Sequence, residues 1–231
     1  MKFSITLLSL GIILFFNGCV GSKIHVYVDS IGNTKQDSSY LLLSGNKNVT
    51  KDDLQFKEYS SYVKKVLSKK GFTFVDNPKV AEQAIFLSYG ISAPSKTNST
   101  ISMPIYGQTG VSSSYTNGTL NTYGNRTTYS GNTTYIPKYG VTGYNNIPIS
   151  KINYTRYITL NAIDIKEFIK TEKYINLWKT KIISTGSTGD LRKIFPYLVI
   201  AGEKYIGTNT GEQIKVVVYE TDSRVKEIKK K

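Results

Sequence analysis

"TKDDLQFKEYSSYVKKVLSKKG", residues 50–71, is the stretch on which the fold turns. Phe56, Tyr59, Val63, Val66 and Leu67 recur at spacings of three and four, which draws one apolar stripe along a helix. A carboxylate at Asp52 or Asp53 can accept the backbone N–H bonds left open at the helix start. Lys69 and Lys70 suit the negative end of the helix dipole, and Gly71 is a natural stop. Both acids lie at a solvated terminus, so they read as caps and not as catalytic groups. A helix with a single stripe needs an apolar surface to lie on, and the neighbouring sequence supplies strands.

"KIHVYV", 23–28, alternates Ile24, Val26 and Val28 with outward residues, and His25 falls on the opposite face as a solvated side chain and not a ligand. "SYLLLS", 39–44, is a second short strand. "FTFV", 72–75, follows the helix, then the turn "DNPK" and the strand "AIFLSYGIS", 84–92. "YTRYITLNAIDI", 154–165, places Ile158, Leu160 and Ala162 on one face. In "LWKTKIIST", 177–185, Trp178 and Ile182 share one parity, and Leu177 and Ile183 the other, so both faces are expected to be covered. In 184–207 a second helix carries Leu191, Ile194, Phe195, Leu198 and Val199, with Ser187, Thr188 or Asp190 as its cap. Pro196 predicts a kink or a tight start, and Gly202 or Gly207 the end. "QIKVVVYE", 213–220, is the last strand, with Ile214, Val216 and Val218 inward, and the tail "VKEIKKK" is expected to fray. Two helices, each with one stripe, and many strands predict an α+β fold: a two-layer domain, an antiparallel-rich sheet with the two main helices on one face.

Between 95 and 153 the composition changes. This insert contains no acid, and its charges are Lys96, Arg126, Lys138 and Lys151; the rest is mostly Thr, Ser, Gly, Asn and Tyr. "NTYGN" and "TTYSGN" form a loose repeat, with Tyr123, Tyr129 and Tyr135 six residues apart. That even step keeps all three on one side of an extended strand if no turn intervenes. Gly-Asn pairs are turn signals. The expectation is short strands joined by turns, a hairpin, or disorder. A membrane-crossing hairpin needs an apolar outer band, which threonine and asparagine do not provide. The tyrosines, Tyr115, Tyr123, Tyr129, Tyr135, Tyr139 and Tyr144, offer amphipathic contact surface for protein or sugar; a loop with no partner is the plainer alternative.

Thirty Lys and Arg against sixteen Asp and Glu give a formal charge of +14. Such a balance favours anionic partners or simply makes a soluble lysine-rich surface. One cysteine excludes an intramolecular disulfide and clustered-thiol zinc sites, and one histidine excludes His-rich metal sites. No metal or cofactor is expected. "STGSTGDLR", 184–192, lacks the lysine and spacing of a phosphate loop. Asp190 there would occupy the backbone donors an anion would need, so capping is the role read for it.

The single cysteine stands in "FFNGCVGSK", 15–23, directly after the apolar run from Ile5 to Phe16. Lys2 followed by about a dozen apolar residues reads as an export signal, short for a membrane span of about 20 residues. Gly18 before Cys19 resembles the lipobox of bacterial lipoproteins, although Phe16 and Asn17 stand where Leu and a small residue are usual. That resemblance implies diacylglyceryl transfer to the Cys19 thiol and cleavage of 1–18; the strand and helix pattern then predicts a single α+β domain over 19–231 interrupted by the insert. Two or three acyl chains give stable anchoring where one would be marginal. By the same resemblance Val20, in place of Asp, points to the outer membrane of the bacterial cell envelope. Export also argues against nucleic acid as the anionic partner.

With the lipobox, "SSYVKKVLSKKGFTFVDNPKVAEQAIFLSYG" and "LWKTKIISTGSTGDLRKIFPYLVIAGEKYIGTNTGEQIKVVVYE" resemble small bacterial lipoproteins of the domain-of-unknown-function 4136 type, over about residues 39–92 and 154–228. The resemblance implies an envelope lipoprotein with an α+β fold and brings no catalytic residues. The expectation is a non-enzymatic binding or structural module, anchored to the membrane by lipid, whose partner is an envelope protein or glycan. The alternatives are an envelope hydrolase acting on peptidoglycan or glycans, for which Asp164 and Asp190 are the available carboxylates, and a self-assembling structural lipoprotein. The oligomeric state is not legible.

Overall fold

The computed structural model describes residues 22–32 and 38–230. Cys19 and the apolar run before it lie outside these residues. In chain order the elements are β1 (Lys23–Gly32), β2 (Ser39–Ser44), α1 (Leu54–Lys69), β3 (Thr73–Phe74), β4 (Gln83–Ile91), β5 (Ser95–Tyr123), β6 (Arg126–Asp164), α2 (Ile165–Thr171), β7 (Asn176–Gly186), α3 (Leu191–Gly202), β8 (Ile214–Tyr219) and α4 (Ser223–Lys229). The fold is broadly two-layer α+β, among the described residues an open eight-stranded sheet with four helices. Seven strands run in the order β3-β2-β4-β6-β7-β1-β8, and β5 pairs with β6 off this path. The chain divides into two compact units, one of residues up to Ala93 and from Tyr154 onward, the other Pro94–Asn153.

In the first unit β2 runs parallel to β3 and to β4, and the remaining neighbours are antiparallel. Parallel neighbours need a crossover; α1 supplies it between β2 and β3. Asp53 caps α1 by accepting from the Phe56 N–H at 2.8 Å, while Asp52 pairs with Lys57 at 3.3 Å. The five stripe residues of α1 are all buried. They share one cluster with Val26 and Val28 of β1, Ile158 and Leu160 of β6, and the stripe of α3. Tyr59 stacks on Phe195 with ring centroids 3.9 Å apart and planes 9° from parallel, joining α1 to α3. Pro196 sits inside α3, which runs on from Leu191 to Gly202. A smaller cluster gathers Leu41, Ala81, Ala84, Ile163 and Ile165.

Two local expectations are corrected and one element is added. In β7 only one parity is buried: Trp178, Thr180, Ile182 and Ser184, with Leu177 exposed. Two of those four are polar. The Thr180 and Ser30 hydroxyls bond each other at 2.7 Å, and the Ser184 hydroxyl donates to the His25 carbonyl at 2.8 Å, which removes the penalty for burying them. The tail is not frayed. Residues 223–229 form α4, capped by Asp222, and bury Val225 and Ile228 in the main cluster. The Lys65 ammonium donates to the Ile228 and Lys230 carbonyls at its end, and Lys69 pairs with Glu227 at 3.0 Å. Two apolar residues three apart, Val225 and Ile228, were the helical signal among the lysines. Finally α2, a single short helix capped by Asp164, was not read from the sequence.

The second unit is one long two-stranded ribbon. The register runs from Ser95↔Asn153 to Tyr123↔Arg126, with irregularities at 105/106, 108/110 and 111/113. At about 3.3 Å per residue, the 29 residues of β5 reach about 95 Å. The turn is Gly124-Asn125, with Gly124 at φ 58 and no positive φ at Asn125, the pattern a two-residue hairpin of the II′ kind requires. No residue of Pro94–Asn153 is buried.

Candidate functional site

Cys19, the expected lipidation site, lies outside the described residues. The six tyrosines read as contact residues all lie in the ribbon and are exposed, Tyr123 at its end most of all at 90%. Tyr106, which was not singled out, is exposed with them. The turn changes how they group. Tyr129 and Tyr135 share a face of β6, but Tyr123 belongs to β5 and pairs with Arg126, so its side chain points to the other face. Tyr129 lies over the directly paired Gly118 and Gly131, where a Cβ on either glycine would come within 2.3 Å of its ring or hydroxyl. The glycines make room for the ring, which covers backbone that would otherwise be bare.

The ribbon is not uniformly polar, as its composition had suggested. Between 95 and 105 the register with 143–153 is unbroken, so equal parity means a shared face. Ile101, Met103, Ile105, Ile147 and Ile149 fall together, with Ile101 directly opposite Ile147. All five are exposed. The signal was present as alternation in "TISMPI" and "NIPIS", hidden by averaging over the whole insert. The half nearer the turn has no comparable face. It carries cross-strand hydroxyl pairs instead, Thr116 with Thr133 at 2.7 Å and Thr122 with Thr127 at 3.1 Å.

The carboxylates weighed for hydrolysis are helix caps. Asp164 accepts from the Glu167 N–H at 2.9 Å and Asp190 from the Lys193 N–H at 3.1 Å. Asp164 ends β6, whereas Asp190 follows Gly189, which lies against Tyr154 ten residues back along the same strand, about 33 Å, so the acid pair of a glycosidase is not assembled from them. The glycine-rich turn serves a buried cation. Arg156 is 2% exposed and donates from Nη1 to the Thr188 carbonyl at 3.1 Å and from Nη2 to the Ser184 hydroxyl at 3.0 Å. Its Nε has no hydrogen-bond partner, and burial pulls the guanidinium below its ordinary pKa. Arg156 shares the parity of Ile158 and Leu160, which was the unused sequence signal. Among the described residues no group of three or more His, Cys, Asp or Glu could hold a metal ion, and no helix is long and apolar enough to cross a membrane.

A groove of about 800 Å³ runs beside α1 and β2, lined by Leu41, Leu43, Phe56 and Phe74, with Lys57 and Lys64 at its rim. Lys64 lies over the Phe74 ring, its ammonium 3.2 Å from the centroid. β3 pairs only with Ser39 and Tyr40, so among the described residues the β2 edge beyond them has no strand partner on that side, and Leu41, Leu42 and Leu43 line the groove. An open strand edge beside an apolar trough can take an extended chain.

No protein-family model and no curated protein matches the chain. One solved structure is similar in part, a PDZ domain protein from Parabacteroides distasonis, with 9% identity and a TM-score of 0.38. The match covers 87% of this chain and 40% of that one.

Proposed function

We propose that this protein is a lipid-anchored cell-envelope protein without enzymatic activity, of the kind the domain-of-unknown-function 4136 resemblance implies, and that Pro94–Asn153 is its contact arm. Acyl chains on Cys19 hold it at the outer membrane, on the periplasmic face, and the ribbon meets another envelope component. The observation that carries the reading is the ribbon itself. A regular hairpin of this length exposes its tyrosines and both faces, and such surface is useful where something else covers it. We also infer that α1 and α3 lie on the same face of the sheet. The Tyr59–Phe195 stack and the cluster their stripes share with alternate residues of β1 and β6 support this.

Membrane fractionation with mass spectrometry of the mature N-terminus tests the anchor. Cys19→Ala is expected to move the protein to the soluble fraction, and an unacylated native N-terminus at any other residue would end that part of the reading. Crosslinking in cells tests the arm. Deleting 96–150 is expected to abolish the crosslinks, and a deletion that keeps them all would end the other part.

A further inference from the structure

The ribbon poses a physical problem that its own sequence answers. A two-stranded hairpin is marginal in water, and three or more strands are needed for independent stability. This one has 27 paired positions on β5, no buried residue, and two outer edges. Those edges are not alike along their length. Proline in a strand persists where its missing N–H would have pointed away from the ladder. Pro104 and Pro148 stand in pairs of the same parity, 104 with 144 and 100 with 148, so both sit at outward positions. Pro137 does the same beside the last irregularity. Prolines and irregularities therefore blunt both edges over the half away from the turn.

From 113 to 123 and from 126 to 136 the register is unbroken and no proline occurs. The outward amides there can be assigned from two ends. The Tyr123↔Arg126 pair closes a two-residue turn and is a hydrogen-bonded pair, so the 122/127 pair faces out. Counting from Pro137 gives the same phase. Ser114, Thr116, Gly118, Leu120 and Thr122 on β5, and Thr127, Tyr129, Gly131, Thr133 and Tyr135 on β6, turn their N–H and C=O groups to edges with no strand partner among the described residues. The one charge in these 22 residues is Arg126. High β propensity, almost no charge and no proline mark a segment that pairs with strands.

We propose that a second copy of this chain pairs with these edges, the 113–123 edge of β5 in one copy running antiparallel to the 126–136 edge of β6 in the next. A partner must bring a strand of about eleven residues, about twice the usual length, and this chain has two. Head-to-tail pairing continues the up-and-down order and covers both kinds of edge. Pairing β5 with β5 leaves β6 open. The head-to-tail contact is heterologous, so it closes into a ring or extends. This deepens the contact-arm reading by naming the partner; it does not require lipid on Cys19.

Hydrogen exchange on the purified full chain, with mass measurement across a dilution series, tests it. Masses above one chain are expected, with outward amides protected in step with association. Thr116→Pro with Leu120→Pro on β5, and separately Thr133→Pro on β6, should each weaken association about tenfold or more while the inward amides of Asn117 and Thr119 stay protected. A single-chain mass at every concentration with outward amides exchanging freely overturns the proposal. So does association that both proline variants leave unchanged. Outward protection that needs another envelope protein overturns self-pairing, while the contact-arm reading stands.

Discussion

Both units of this chain are built largely from antiparallel strands, yet a strand residue in one has different surroundings from a strand residue in the other. In β1 alternate side chains are sealed: Ile24, Val26, Val28 and Ser30 are buried, and their neighbours are exposed. In the ribbon both parities are exposed. The covered face makes the difference. Where helices supply a second layer, alternation becomes inside and outside. Where no described residue seals a face of the ribbon, composition drifts to Thr, Asn, Tyr and Gly, and stability rests on pairing and cross-strand contacts. The single tryptophan, Trp178, is buried in the first unit and donates to the Gln83 side chain at 2.9 Å, so its fluorescence reports that unit alone.

The largest expected effect is at the junction of the two main helices. Phe195→Ala removes a fully buried ring stacked on Tyr59 and set edge-on to Tyr89. It should destabilise the first unit by about 3–5 kcal/mol. Urea unfolding followed by Trp178 fluorescence measures this, and a loss near that of an exposed ribbon tyrosine would erase the contrast between the units. Removing residues 222–231 comes next, because Val225 and Ile228 leave the core; about 2–4 kcal/mol is expected by the same measurement. An unchanged midpoint would restore the frayed tail.

Alkali should attack the first unit selectively. Burial pushes Tyr59 up to about 12, against the hydrogen bond from Gln55, and raises Tyr40 also. Unfolded, these phenols ionise near 10. Above that value the unfolded chain binds fewer protons than the folded one, so stability present at neutral pH is lost as pH rises from about 10 to 12. Trp178 fluorescence through an alkaline titration checks it. A flat signal over that window would mean the buried phenols are not the ones that fail.

The first unit was legible because covered faces leave periodic sequence. The stripe of α1, the stripe of α3 and the parity of β1 each follow from residues that must avoid water. What was missed has the same explanation in reverse. Arg156 broke an apolar parity and was passed over, although Thr188 and Ser184 were in the adjacent glycine-rich turn to receive it. α4 was hidden by its lysines. A hairpin was one of the three forms open to the insert, and its register could not be set, because register without a buried face depends on one turn, Gly124-Asn125, and the insert holds a second Gly-Asn pair at 131–132 that could have been that turn.

A smaller effect is expected from removing the ribbon. If the first unit is self-sufficient, replacing 96–150 by a short turn exchanges one closed loop for a shorter one, which favours the folded state by about 1–2 kcal/mol. The Trp178 midpoint should hold or rise slightly, and an unfolded product would show that the ribbon supports the core. The smallest effect separates the ribbon's own packing from any partner. Tyr129→Ala uncovers Gly118 and Gly131 without touching a ladder bond. A cross-strand contact of this kind is worth about 0.2–1 kcal/mol, too little to unfold 27 pairs. Exchange should quicken at the amides around 118 and 131 and nowhere in the first unit. Quickening along the whole ribbon would mean that one aromatic ring holds the register, and the distinction between a packed unit and a merely paired one would then fail.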